Sequence, residues 1–387
     1  MGIFGNKIIY LDNAATTQVD ESVVKAMTPY FNEKYGNASS KHFIGQEAKR
    51  ALEESRDIIA KSIGARRDEI IFTSGGTEAN NFVLKGLFFH PENKDKKHII
   101  TTKIEHDCIL NSCKWLETQG AKVTYLNVDS EGFVDIDELK KEISNETLVV
   151  SIIHGNNEIG TIQDLEKIGK ICKEKGVYFH TDACQSYTKV PIDVNKQHLN
   201  FVTLNSHKIH GPKGVGALFI RKNSKIVPLL HGGGHEFRLR STTENVAGVV
   251  GFSKAVKIAK SSDIKHMEKL RDKLIEGLLK IPNTKLNGPR KNRLSNNINI
   301  SFNNIEGEAI GGYLDSYGIC GSTGSACSSH SLESSHVLKS IGCDHMQMNS
   351  SIRLSVSKYN TEKEIDYVLD IFPKIVDKLR KMSPIKN

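Results

Sequence analysis

Seven short β-rich runs, set between helical stretches and polar turns, constrain the fold of this 387-residue chain more than any other feature. They are EIIFT (69–73), KHIITT (97–102), KVTYLNV (122–128), TLVVSII (147–153), GVYFHTDA (176–183), LNFVTLNS (199–206) and GALFI (216–220). Amphipathic stretches such as HDCILNSCKWLETQG (106–120) and LEKIGKICKEKG (165–176) lie between several of them. Strands that alternate with helices predict right-handed crossovers around a mainly parallel sheet covered on both faces. The expected class is α/β, with one large seven-stranded sheet. A different pattern follows it. A long helical run (244–261) leads into a helix (264–280), a strand (296–302), a Gly/Ser-rich loop and a final helix (362–382). This second region predicts a smaller α+β domain. The boundary is expected near residue 260, giving a large domain over 15–260, a small one over 261–387, and an arm over 1–14 that packs on the small domain.

Composition narrows the function classes. With 38% hydrophobic and 25% charged residues, the chain suits a soluble globular protein. No apolar run approaches the roughly 18 residues that span a bilayer. The opening MGIFGNKIIYLDNAATT has neither a signal-peptide apolar core nor an Arg-rich transit pattern, so a cytoplasmic location is expected. The formal charge of +8 comes from 53 basic and 45 acidic residues that are scattered rather than blocked. That distribution argues against a nucleic-acid stripe and fits a mild attraction for anionic substrates or acidic partner proteins. None of the seven cysteines sits in a C-x-x-C pair, so neither a zinc site nor a disulfide framework is indicated. Cys108, Cys113, Cys172 and Cys184 lie in apolar or mixed stretches and read as small core residues.

In open α/β sheets, sites gather where strands end and loops turn into helices. Four such turns carry unusual polar content here. The first, Ser74-Gly75-Gly76-Thr77, ends a strand and opens a helix, a plain capped turn or a cradle for a phosphate. In the second, Asp182 ends an apolar strand beside Gln185; a carboxylate there needs a cationic partner such as a pyridinium nitrogen, or caps the next segment. In the third, Lys208 follows His207 at another strand end, either sheltered enough to form a Schiff base or a loop lysine reaching for solvent. In the fourth, Asn157 offers an amide to a ring substituent, while Glu158 reads as a capping residue. Upstream, His106 holds a similar strand-end position, where an imidazole can lie on a planar cofactor. Each turn is weak alone. Together they describe one planar, phosphorylated aldehyde.

The motifs YLDNAATT (10–17), YGNASSKHFIG (35–45), TSGGTEANN (73–81), NNEIGTIQ (156–163), HTDACQS (180–186), SHKIHGPKG (206–214), HGGGHEFRLRSTTENV (231–246), STGSACSS (322–329) and SSIRLSVS (350–357) occur in this order. As a set they resemble the NifS/IscS-like cysteine desulfurases, of the class V aminotransferase family of fold-type I pyridoxal-phosphate enzymes. The resemblance runs from about residue 8 to the C-terminus. It implies that Lys208 holds pyridoxal 5'-phosphate covalently, Asp182 pairs with the ring nitrogen, and His106 stacks on the ring. Gln185 and Asn157 would contact the ring hydroxyl region. Gly76, Thr77, Ser206 and His207 would bind the phosphate, joined by Thr243 from the other subunit of a homodimer. Arg353 would hold the substrate carboxylate, with Asn37 nearby. Cys327 matches the sulfur-accepting cysteine, and its Gly/Ser/Ala-rich surroundings suit a loop that serves chemistry rather than packing.

Five positions depart from the family pattern. Asn205 replaces a phosphate-binding Ser, though its amide can still donate; Thr242 replaces a Gly, Ala38 a Pro, and Ser357-Lys358 a Gly-Arg pair. The reaction implied is removal of sulfur from L-cysteine to give L-alanine and a Cys327 persulfide. That sulfur would pass to an iron–sulfur scaffold or another sulfur-acceptor protein. The alternatives are a selenocysteine lyase, another class V lyase or transaminase, or a non-catalytic sulfur-assembly scaffold.

Overall fold

The fold is described from a computed structural model, over residues 8–323 and 335–383. Twelve strands are present among these residues: β1 (Ile9–Tyr10), β2 (Ile70–Thr73), β3 (His98–Thr102), β4 (Lys122–Leu126), β5 (Thr147–Ser151), β6 (Tyr178–Asp182), β7 (Phe201–Asn205), β8 (Gly216–Ile220), β9 (Thr284–Leu286), β10 (Asn297–Phe302), β11 (Ile319–Cys320) and β12 (Ser351–Ser355). Seven of them form one sheet in the order β2-β8-β7-β6-β5-β3-β4. The run from β4 to β7 is parallel throughout, and only β8 opposes its two neighbours. The reason is chain length. Ten residues, 206–215, separate β7 from β8, and a parallel crossover needs about a dozen or more.

Alternation along each strand sends side chains to opposite faces. Ile70, Phe72, Ile100, Val150, Phe179, Val202 and Phe219 build the core on one face. Their sequence neighbours Ile71, Ile99, Val149, Phe201 and Leu218 build the core on the other. Strands buried on both sides read as continuous apolar runs, as parallel strands do. Helices close over both faces. On the first face, helix Phe43–Ser62 buries Ala48, Ala51, Leu52, Ser55 and Ile59 at helical spacing, and helix Leu165–Glu174 is started by Asp164, whose carboxylate accepts from the Lys167 N–H; on the other, helix Gly76–Phe88 buries Ala79, Val83 and Leu87.

A second core lies beyond the sheet. Met267, Leu270, Leu274, Ile300, Phe302, Val368, Phe372 and Val376 pack together there with Ile9 and Leu11. β1 pairs in parallel with β11, and β10 lies between β9 and β12. The helical run expected over 244–261 ends earlier, at Ile258, and a new helix starts at Ser261. The final helix, Glu362–Met382, opens on a capping box between Thr361 and Glu364 and runs through Pro373. No helix among the described residues is long and apolar enough to cross a membrane.

Candidate active site

The C-terminal ends of β2, β3, β5, β6 and β7 lie along one edge of the sheet, and the polar turns read from the sequence follow them. Asp182 closes β6 with its side chain inward, 4% exposed. Its Oδ1 accepts from the Cys184 N–H (2.9 Å) and its Oδ2 from Asn80 Nδ2 (2.7 Å). Burial pushes this carboxyl up, but the Cys184 and Asn80 donors and the nearby His106 outweigh it and hold the group below the usual range. Asp182 is thus an enclosed anion surrounded by neutral donors, with no lysine or arginine against it among the described residues.

His106 follows β3 and caps helix Asp107–Glu117. Its Nδ1 accepts from the Cys108 N–H (3.2 Å) and lies 3.1 Å from Cys108 Sγ. Burial and the Lys208 charge hold its pKa down. A neutral ring whose Nδ1 accepts carries its proton on Nε2. Lys208 follows β7 in a half-buried turn, and its charge also reaches Cys108, Cys184 and His207. The turn is fixed by Thr17, whose N–H and hydroxyl both donate to the His207 carbonyl, at 2.9 and 2.8 Å.

The residues proposed for a phosphate converge less evenly. Ser206 is fully buried, and its Oγ has no hydrogen-bond partner among the described residues; Asn205 Oδ1 is likewise orphaned there. His207 shares a hydrogen bond with the Thr16 hydroxyl (3.1 Å), and burial followed by the charges of Lys208, Lys213 and Lys189 pushes its pKa down to about 4. Gly76 opens helix Gly76–Phe88, and a Cβ there would come 2.6 Å from Cys184 Sγ. A side chain there would have to displace the Cys184 thiol or shift the turn. Thr77 is exposed beside it. Thr243 is exposed too, on a small cleft that it shares with Ser74 and Arg240.

Gln185 is buried and donates to the Ala14 carbonyl (2.9 Å). Asn157 is presented by its neighbour Asn156, whose Oδ1 accepts from the Glu158 and Ile159 N–H groups. The Asn157 carbonyl in turn accepts from Arg353 Nη1 (3.2 Å), and Arg353 Nη2 pairs with Asp12 (3.0 Å). The Arg353 Nε is buried without a partner among the described residues. Asn37 lies in an exposed turn, where its side chain accepts from the Ser39 N–H. Cys327 lies outside the described residues. The flanks of its segment do not. Ser322 exchanges backbone hydrogen bonds with Arg353, and Ser335 donates to Glu158 Oε2 (2.6 Å).

That last contact corrects the capping role expected of Glu158, which is instead a buried carboxyl pushed up by burial. Cys113, Cys172 and Cys184 are buried as expected, whereas Cys108 is half-buried and touches His106 and Asn80. Sequence reasoning missed Asn80, one helical turn past Thr77, and also Glu105. The Glu105 Oε1 accepts from Thr102 Oγ1 (2.7 Å) and the Ile153 N–H (2.9 Å), while its Oε2 is orphaned. Burial, reinforced by Asp182, pushes its pKa up to about 8. The folded state therefore keeps a proton that the unfolded chain loses near pH 4.5, so this group's contribution to stability declines as pH rises from there to about 8. Glu105→Gln is expected to melt higher than the parent at pH 8 and close to it at pH 5, read from melting temperatures at both values. An equal offset at the two pH values would contradict the assignment.

Set beside known proteins, this arrangement has clear relatives. Residues 9–368 match the family model for aminotransferase class-V, and the chain belongs to that family. A protein named cysteine desulfurase IscS from Methanosarcina thermophila is 51% identical over 385 residues, covering 98% of this chain and 95% of its own length. A solved NifS-like protein superposes with a TM-score of 0.91 at 42% identity, covering 96% of this chain and all of its own. A second structure, described as SspA in complex with cysteine, has a TM-score of 0.82 at 36% identity and covers 91% of this chain and 99% of its own.

Proposed function

We propose that the chain is a pyridoxal-phosphate-dependent cysteine desulfurase that removes sulfur from L-cysteine, releases L-alanine and carries the sulfur as a persulfide on Cys327. The observation that carries this reading is Asp182, an enclosed carboxylate held ionised by the Cys184 and Asn80 donors and the nearby His106, with no lysine or arginine paired to it among the described residues. A buried anion of this kind is costly unless a positive group completes it. A protonated pyridine ring has the right charge and shape, and the unpartnered Ser206 hydroxyl suits the phosphate of the same molecule.

Lys208 would anchor the cofactor, Asp182 would face its ring nitrogen and His106 its ring face. Gln185 and Asn157 would lie toward the ring hydroxyl. Gly76, Thr77, Asn205, Ser206 and His207 would hold the phosphate, with Thr243 supplied by a second copy of the chain in a homodimer. When bound, pyridoxal phosphate supplies an electron sink that acidifies the substrate's α-carbon. Arg353 orients the substrate through its carboxylate, and Asn37 is assigned to the same end. Lys208, once released as a free amine, takes the α-proton and returns one to the product carbon. His106, neutral and protonated at Nε2, can give a proton on the ring side. The Cys327 thiolate attacks the substrate sulfur: an S–S bond forms, the C–S bond breaks, and its electron pair leaves with carbon. The sum is L-cysteine plus Cys327 thiol giving L-alanine plus Cys327 persulfide. An acceptor, an iron–sulfur scaffold or a thiolation protein, then takes the sulfur. The bonds from Ser322 to Arg353 and from Ser335 to Glu158 support this role, since both flanks of the Cys327 segment are tied to the site.

The same reading divides the chain near residue 260. Support comes from Ile9 and Leu11, which share their core with Met267 to Leu379 rather than with the large sheet. The activity is tested by supplying L-cysteine and a reductant to the cofactor-loaded protein. Alanine and sulfide are expected in equal amounts. Turnover of L-selenocysteine alone would indicate the lyase, a keto acid product a transaminase, and no turnover a scaffold.

A further inference from the structure

Behind the Lys208 turn lies a narrow cleft of about 40 Å³, space for no more than a few waters, between the large sheet and the second core. Thr17, Lys189, His210, Asp263 and Lys358 are among its walls. Lys189 is half-buried as a residue, but its ammonium is packed round by protein. Its Nζ donates to the carbonyl of Gln185 (2.9 Å) and to that of Lys208 (3.2 Å). These two carbonyls belong to different loops, one after β6 and one after β7. Each loop carries a residue assigned above to the cofactor. Charge-assisted bonds of this type are about twice as strong as neutral ones, and here one ammonium joins the loops at the two ends of β7. Burial pushes the Lys189 pKa down to about 7, and the Lys208 charge pushes it the same way.

The geometry points to Lys189 as a positioning residue, whose ammonium clamps the Lys208 backbone to the Gln185 loop and so fixes the backbone from which the Lys208 amine projects. The inference rests on the cofactor assignment and goes beyond it. Lys189 is assigned no part in holding substrate or cofactor; it would act through the backbone of Lys208, which is so assigned. Loosening the clamp should leave the amine present but badly aimed, a loss that falls on the chemical step rather than on substrate binding.

The test uses protein loaded with pyridoxal phosphate, comparing the parent with Lys189→Met and Lys189→Gln. The Met variant removes both donor and charge; the Gln variant keeps a donor. Visible absorbance should persist in both. The visible circular dichroism of the cofactor, which reports how rigidly it is oriented, should lose most of its amplitude in the Met variant and recover in part with Gln. The kcat of the Met variant should fall by about tenfold with KM within about threefold. Should the Met variant fail to fold, the Gln variant alone must still show weakened dichroism and a reduced kcat. Dichroism and kcat equal to the parent in the folded variants overturn the inference. A parent protein that takes up pyridoxal phosphate without any visible band overturns the cofactor reading, and the clamp falls with it.

Discussion

Lys208→Ala is expected to purify as a folded protein that never turns yellow with pyridoxal phosphate and releases no alanine from L-cysteine. The fold should survive because the Lys208 turn is held by backbone contacts, from Thr17 to the His207 carbonyl and from Lys189 to the carbonyl of residue 208 itself. Those partners do not depend on the side chain. The amine, by contrast, is the group assigned to hold the cofactor covalently and to move the α-proton, so its loss should lower turnover by about 10⁴-fold or more. Absorbance spectra and an alanine assay read both effects. A variant that still forms the visible band would place the covalent anchor elsewhere.

Cys327→Ser is expected to separate the two halves of the chemistry. The cofactor band should be unchanged, because none of the residues assigned to the ring or phosphate comes from the segment around Cys327. Alanine formation should fall by about 10³-fold or more, since a hydroxyl is a far weaker nucleophile toward sulfur than a thiolate. Normal alanine and sulfide yields from this variant would remove Cys327 from the mechanism.

Much of the site was legible because strand ends are local. Ser74-Gly75-Gly76-Thr77, His106, Asp182 and Lys208 each stand where an apolar run stops, and in a mostly parallel sheet those stops share one edge. The sheet itself was legible for the same reason. Partners across the fold were not. Arg353 meets Asp12 from 341 positions away, and Ser335 meets Glu158 from 177. Periodicity tells which side chains point inward, not which ones they meet. Asn80 looked like an ordinary polar residue in the helix after the glycines, yet it is the amide that satisfies Asp182. Lys189 gave even less away, because its bonds run to backbone carbonyls that carry no signature in the sequence. One signal was available for Glu105. It follows an apolar strand end and directly precedes His106, a place where a carboxylate has no water to face.

The central claim is that sulfur leaves L-cysteine for a thiol of this chain. Intact-protein and peptide mass spectrometry after a single turnover, without reductant, reads that transfer directly. The peptide containing Cys327 should gain the mass of one sulfur atom, a gain reversed by reductant and absent in Lys208→Ala. An unmodified Cys327 peptide alongside stoichiometric alanine would contradict it.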